Sequence, residues 1–266
     1  MLSQREIDAY HNEGWVVPQG FRLNKHEREL LASSVDRVLA DNPNILPDRM
    51  INTHLDRGAP YGIRGRKEIY DVAHDDRVLD LVEEVLGPDI ILLFTHLFCK
   101  PASSDRAVPW HQDGPFWPVT PMASCTVWIA IDKVDKNNGA MRVIPCSHLN
   151  DYYDHRLVDN PKSTLNREID PSKIDESRAV TIELEPGQAS LHDIGIIHGS
   201  AANSSARRRA GLALRYIPAT SCMFRKMPDA AADWSEMPME VVRGVNRNER
   251  NNFSLGNFGQ AWLPSV

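Results

Sequence analysis

Apolar residues recur every three or four positions in the first third of the chain and at every second position in much of the remainder. "SQREIDAYHNEG" opens on Ser3, carries its apolar residues at helical spacing and closes on Gly14, which predicts a helix. "NKHERELLASSVDRVLADNP" repeats the pattern, with Asn24 as cap, Leu30, Leu31, Val35 and Leu39 as the apolar stripe, and Pro43 as the stop. A third helix is predicted over 75–87, closed by Gly87 and Pro88, with a polar loop around 44–70. From residue 89 the pattern changes to that of strands. "DIILLFTHLFCK" predicts a long strand over 89–100, and "SCTVWIAIDKV" alternates, with Cys125, Val127, Ile129 and Ile131 on one face. A turn and strand are expected over 137–148, two strands joined by Pro186–Gly187 over 179–200, and another strand over 210–219. Short strands with regular turn signals predict an antiparallel sandwich or barrel. The polar, aperiodic stretch 149–178 is expected to lie over one mouth of it. No repeat or linker divides the chain. One domain over 1–266 is the economical reading: 1–88 as mainly helical support, 89–220 as β core and 221–266 as a C-terminal extension.

Composition narrows the function classes. The 266 residues carry a net charge of -6, with 42% hydrophobic and 25% charged residues, as in an ordinary globular protein. A nucleic-acid partner needs a basic footprint, so none is expected. No apolar run approaches the roughly 20 residues that span a bilayer, so no membrane partner is expected either. The amino-terminal stretch lacks the apolar core of a secretory signal. Cys99, Cys125, Cys146 and Cys222 are widely spaced and form no CxxC pair, which reads as reduced thiols in a cytoplasmic protein.

The chemistry concentrates in "VPWHQDGPFWP", residues 108–118. On an extended strand His111 and Asp113 project to one side and offer two metal-type ligands. The best-placed third ligand among ten histidines is His198, at the end of an apolar strand; His192 is the rival. Two imidazoles and a carboxylate suit non-haem Fe(II) and leave coordination positions open for an oxidant and a co-substrate. A 2-oxoacid co-substrate needs a fixed cation at its far carboxylate, and a guanidinium meets that need bidentately. Arg209 lies eleven residues after His198, at the entry to the next strand.

HxD, a distant "HGS" and an arginine eleven residues past its histidine together resemble the phytanoyl-CoA dioxygenase family. "YHNEGWVV", "KPASSDRAVPWHQD", "VDKNNGAMRVIPCSH" and "HGSAANSSARRRAGLALRY" resemble its ordered motifs over most of the chain. The family comprises Fe(II)- and 2-oxoglutarate-dependent oxygenases with a double-stranded β-helix (jelly-roll, cupin-like) fold, and includes bacterial small-molecule hydroxylases. The resemblance implies that His111, Asp113 and His198 ligate iron, and that Arg209 holds the far carboxylate of 2-oxoglutarate with help from Ser200. It further implies that Trp117 lines the co-substrate side and that Lys100 and Trp128 lie near the pocket. It also implies that O2 is consumed, and that a chain retaining Asp113 hydroxylates rather than halogenates.

Other positions carry weaker expectations. Arg215 shares the strand parity of Arg209, with small Gly211 and Ala213 between them, so it points inward, either to anchor an anionic substrate or to pair with a buried carboxylate. Phe116, Trp110 and Trp128 are expected at the barrel mouth, and Arg64 is a candidate substrate contact. His96, His148, His155 and His192 read as structural. The leading function is hydroxylation of a small polar metabolite. Rival readings are an acyl-CoA hydroxylase, a non-catalytic cupin-like metal- or ligand-binding protein, and a zinc or manganese lyase or isomerase.

Overall fold

Two antiparallel sheets pack face to face, and helices cover the outer side of the larger one. In this computed structural model the described residues are 1–56, 63–224, 234 and 237–253. Across the larger sheet the strands run Trp15–Val16, Ala189–Asp193, Cys125–Ala130, Arg209–Pro218, Ile90–Lys100 and Glu240–Arg243, with Met50–Ile51 also paired to Ile90–Lys100. The smaller sheet runs Val180–Thr181, Met141–Ile144, Ile197–Ser200 and Val108–His111. The fold is the expected double-stranded β-helix with flanking helices.

Helices form at Gln4–Glu13, Lys25–Asp41, Lys67–Ala73 and Asp76–Leu86. Ser3 with Glu6, and Asn24 with Glu27, close reciprocal capping boxes, and Gly14 ends the first helix at φ 85°. Leu31, Val35 and Val38 join the outer-face core with Val78, Leu81 and Val82. Each such buried side chain contributes about 1.5–3 kcal/mol relative to exposure. Against them pack Cys125, Val127, Ile129, Leu212, Leu214 and Tyr216 from the sheet. Period-2 alternation sends the intervening residues of Arg209–Pro218 between the two sheets.

Three expectations change. Leu30 is 42% exposed, because Leu31, Val35 and Val38 define the buried meridian and an adjacent helix position points about 100° away. Residues 67–70, expected as loop, begin a two-turn helix that buries Ile69, Tyr70 and Ala73. The 179–200 run makes three strands in two sheets rather than two strands. After Asp193 its Oδ1 accepts from the Gly195 N–H at 2.7 Å, and the turn carries the chain from the larger sheet into the smaller. The apolar "IGII" conceals that turn. The insertion contains one hairpin, His155–Leu157 with Arg167–Ile169. Residues 57–62 of the expected loop, and 225–233, 235–236 and 254–266 of the expected extension, lie outside the described residues.

Candidate metal centre and its two pockets

His111 and His198 stand directly opposite one another on paired strands of the smaller sheet, with ring centroids 4.1 Å apart. Asp113 completes the group, and one ligand atom from each of the three lies within 4.8 Å of the others. Their exposures are 4%, 4% and 6% for His111, Asp113 and His198. The strand ends at His111, so Asp113 is not placed by the pleat. It adopts helical φ -67° and ψ -35° at the head of a 3-10 turn over Gly114–Phe116. Gln112 pins that turn: its Nε2 donates to the Gly195 carbonyl at 2.8 Å and its Oε1 accepts from Tyr153 N–H at 2.9 Å.

The ligand atoms are free for a metal. Nδ1 of His111 lies 2.9 Å from the Pro109 carbonyl and Nδ1 of His198 lies 3.0 Å from the Ile196 carbonyl. A carbonyl only accepts, so each Nδ1 carries the proton and each Nε2 presents its lone pair, the usual arrangement behind a ligating imidazole. Burial, joined by the His111 charge, pushes His198 well below its ordinary value and keeps it neutral. Burial raises the Asp113 carboxyl, but Arg215 and the two imidazoles outweigh it and hold the group far below the usual carboxylate range. Its Oδ2 has no hydrogen-bond partner. Two imidazoles turned by their Nδ1 bonds to present Nε2, and one ionised carboxylate, all buried, fit a divalent ion of borderline softness such as Fe(II).

One pocket beside this group is lined by His111, His198, Ser200, Arg209, Arg215 and Trp128. Arg209 is 3% exposed; its Nη2 donates to the Gly139 carbonyl at 2.9 Å, and its Nε has no partner. Gly139 sits at φ 79°, a left-handed conformation that a side chain disfavours, and this turn presents the accepting carbonyl. Lys100, the register partner of Arg209, is 1% exposed and donates to Ser200 Oγ at 2.7 Å and to the Ala201 carbonyl. Burial and then the Arg209 charge pull its ammonium down to about 6, and burial brings Arg209 to about 10. Three side chains expected near the co-substrate are thus gathered around a cationic recess.

A second cavity, of about 660 Å³, also borders the metal group and shares Phe98, Val108, His111 and Arg215 with the first. His111, Asp113, Phe116, Trp117 and Arg215 line it, and Thr164, Leu165 and Asn166 of the insertion reach its wall. Trp117, expected on the co-substrate side, lines the larger of the two cavities. The 3-10 turn carries it into this larger cavity against Phe94, with ring centroids 5.4 Å apart. Trp128 instead lies over Arg209, 5.6 Å from its guanidinium carbon to the ring centroid. Trp110 also leaves the mouth: it points out of the smaller sheet, and its Nε1 donates to Glu176 at 3.2 Å. Arg64 is exposed and lines neither cavity among the described residues.

His192 stays outside the ligand group, with Nε2 4.0 Å from Asp113 Oδ2. Both its ring nitrogens lack partners, and burial lowers it to about 4, so it stands neutral in the smaller pocket. His96, His148 and His155 all bond backbone carbonyls. Gln112 carried no signal of its own in the sequence.

A profile of the phytanoyl-CoA dioxygenase family (PhyH) matches residues 1–211, a span that includes the three ligand candidates and Arg209. A probable alpha-ketoglutarate-dependent hypophosphite dioxygenase of Stutzerimonas stutzeri is 31% identical over 153 residues, 57% of this chain and 53% of the relative. The match therefore spans about half of that relative's length. A probable phytanoyl-CoA dioxygenase of Caenorhabditis elegans is 25% identical over 247 residues, 84% of this chain and 78% of the relative. Among solved structures, the apo form of the non-heme monooxygenase ThoJ aligns with TM-score 0.71 at 25% identity, over 93% of this chain and 85% of that one. With residues 1–211 matched and both the fold and the histidine–carboxylate group in place, the chain belongs to the phytanoyl-CoA dioxygenase family.

Proposed function

We propose that the protein is a non-haem Fe(II)- and 2-oxoglutarate-dependent dioxygenase that hydroxylates a C–H bond of a small molecule. The balance is R–H, O2 and 2-oxoglutarate giving R–OH, succinate and CO2. One observation carries the reading: a two-imidazole and carboxylate triad stands beside a recess where Arg209, Lys100 and Ser200 converge with no carboxylate among the residues lining it. A buried cation cluster of this kind is costly unless an anion completes it.

In this reading His111, Asp113 and His198 hold the ion, which when bound supplies the dioxygen chemistry. Arg209 takes the distal carboxylate of 2-oxoglutarate with its free Nε, and Ser200 Oγ and Lys100 Nζ supply further donors. Trp128 fixes the Arg209 plane from one side. Pro109 and Ile196 carbonyls hold the two rings in the ligating tautomer. Burial of all three ligands keeps bulk water from the reacting centre. The four free thiols support a reducing, cytoplasmic setting.

The test is a titration of the anaerobic protein with 2-oxoglutarate in the presence of Fe(II), followed by succinate formation across a metabolite panel on admitting O2. Binding that needs both the metal and Arg209 supports the reading. A protein that takes up metal yet neither binds nor consumes 2-oxoglutarate refutes it in favour of the cupin-like or lyase alternatives.

A further inference from the structure

The larger cavity holds a second buried cation, Arg215, which it shares with the smaller pocket. Arg215 is 5% exposed, and its Nε and Nη1 have no hydrogen-bond partner. Its guanidinium carbon lies 4.8, 5.3 and 5.6 Å from the ring centroids of Phe94, Trp117 and Phe98. Three aromatic faces fix a cation in place without satisfying its N–H groups. The nearest anion is Asp113 Oδ2, 3.9 Å from Nε, beyond hydrogen-bond reach, and the Asp113 carboxylate belongs to the metal group. A guanidinium built only to orient Asp113 would close that gap. Instead it holds two donors unused at the wall of a cavity large enough for a drug-sized molecule.

The lining defines what such a molecule looks like. Asp113 is the one acidic side chain among the described residues of the cavity wall, whereas Arg49 adds a second cation at its exposed rim. The rest is largely apolar and aromatic, with Ile51, Phe116, Leu165 and Trp234 among it. A buried unpaired cation surrounded by rings favours a ligand with one anionic terminus and an apolar body.

Arg215 also borders the smaller pocket, so it stands where the two cavities meet. It is six residues from Arg209 on one strand, about 20 Å of backbone, and lies beside Asp113, whereas Arg209 bonds the Gly139 carbonyl at the far end of the smaller pocket; that separation leaves the distal carboxylate of 2-oxoglutarate to Arg209 and Arg215 to the substrate.

We propose that Arg215 is the substrate anchor of this protein, and that the substrate is a small anion, a carboxylate or similar oxyanion, carried on an apolar or aromatic body. This deepens the dioxygenase reading and rests on it only for what the metal does. It narrows the expected polar metabolite to an amphiphilic acid.

The test uses calorimetry on the full chain loaded with Mn(II), with and without 2-oxoglutarate, and two probe pairs: 3-phenylpropionate with its carboxamide, and octanoate with its carboxamide. At least one carboxylate should bind roughly tenfold to a hundredfold more tightly than its amide. Arg215→Gln should erase that preference and Arg215→Lys should keep part of it, while the Mn(II)-loaded variants still bind 2-oxoglutarate. Equal or absent binding of both carboxylates overturns the proposal, as does a preference that survives Arg215→Gln. A variant that loses 2-oxoglutarate in parallel assigns Arg215 to the co-substrate and also overturns it. If Arg215→Gln does not fold, the carboxylate–amide comparison on the native chain and the Arg215→Lys variant still decide. Failure of the native chain to bind 2-oxoglutarate would remove the oxygenase reading instead, and the probe pairs without 2-oxoglutarate would still judge the anchor.

Discussion

Lys100 and Arg209 are register partners on two hydrogen-bonded strands, both buried, and both directed at one recess beside the metal group. Lys100, brought to about 6, is mostly neutral at pH 7.5 until an anion arrives. A carboxylate wedged against it favours the ammonium, so 2-oxoglutarate binding should draw a proton from solvent above pH 6. Apparent affinity then falls as pH rises, by as much as about tenfold per unit. Titrations in buffers of different ionisation heat read the uptake directly, and Lys100→Met should abolish it. Zero uptake by the native protein at pH 7.5 would rule out this coupling. For the apo fold the sign is opposite: between about 6 and 10.5 the unfolded lysine binds more protons than the folded one, so this group's contribution to stability rises with pH.

Acid should unfold the protein early. Burial lowers both His54 and His96 to about 3 from an ordinary 6.5. Below pH 6.5 the unfolded chain takes up these protons and the folded chain does not, so stability falls as pH drops from 6.5 towards 3. The slope approaches about 1.4 kcal/mol per pH unit for each histidine. Denaturant midpoints at pH 5 and pH 7 measure it. His96→Asn, which can still donate to the Asp48 carbonyl, should remove up to half of the two-histidine slope.

Asp113→Ala should lower divalent-metal affinity by more than about a hundredfold, since the charged donor is lost outright. It also leaves Arg215 without the anion 3.9 Å from its Nε, so the apo melting temperature should fall as well. Calorimetry with Mn(II) and a thermal melt separate the two effects. Unchanged metal affinity would remove Asp113 from the ligand group.

Gly211 has no room for a methyl group: an added Cβ would lie 1.8 Å from the Trp128 ring. Gly211→Ala should therefore cost about 1–3 kcal/mol, lowering the melting temperature by roughly 2–10 °C. Because Trp128 also covers Arg209, 2-oxoglutarate affinity should fall with it. A variant with native stability and affinity would show that the tryptophan moves freely.

The parts that were legible in the sequence are those set by local period and chemistry. Ser3 and Asn24 announced their helices through partners three residues on. Strand parity extended the inward reading of Arg209 to Arg215, and the structure sends the intervening Leu212 and Leu214 to the outer face. His198 opposite His111 is a non-local pairing that no period encodes, and it came from motif order. What failed depended on turns. Gly114 and Pro115 take Asp113 off its strand and carry Trp117 to the wall of the larger cavity, and no alternation rule sees that. The Asp193–Gly195 turn hides inside an apolar run for the same reason.

The strand Arg209–Pro218 carries Arg209 in the smaller pocket and Arg215 where both pockets meet, and keeps only Gly211 and Ala213 between them on its inner face. A single extended backbone thereby acts as a gauge block, setting how far apart two bound acids sit whatever their identity. Selection can then retool the cavity around Arg215 for new molecules while the oxidant's delivery point keeps its distance. The length of that spacer, rather than the shape of either recess, would fix which carbon of a chain comes within reach.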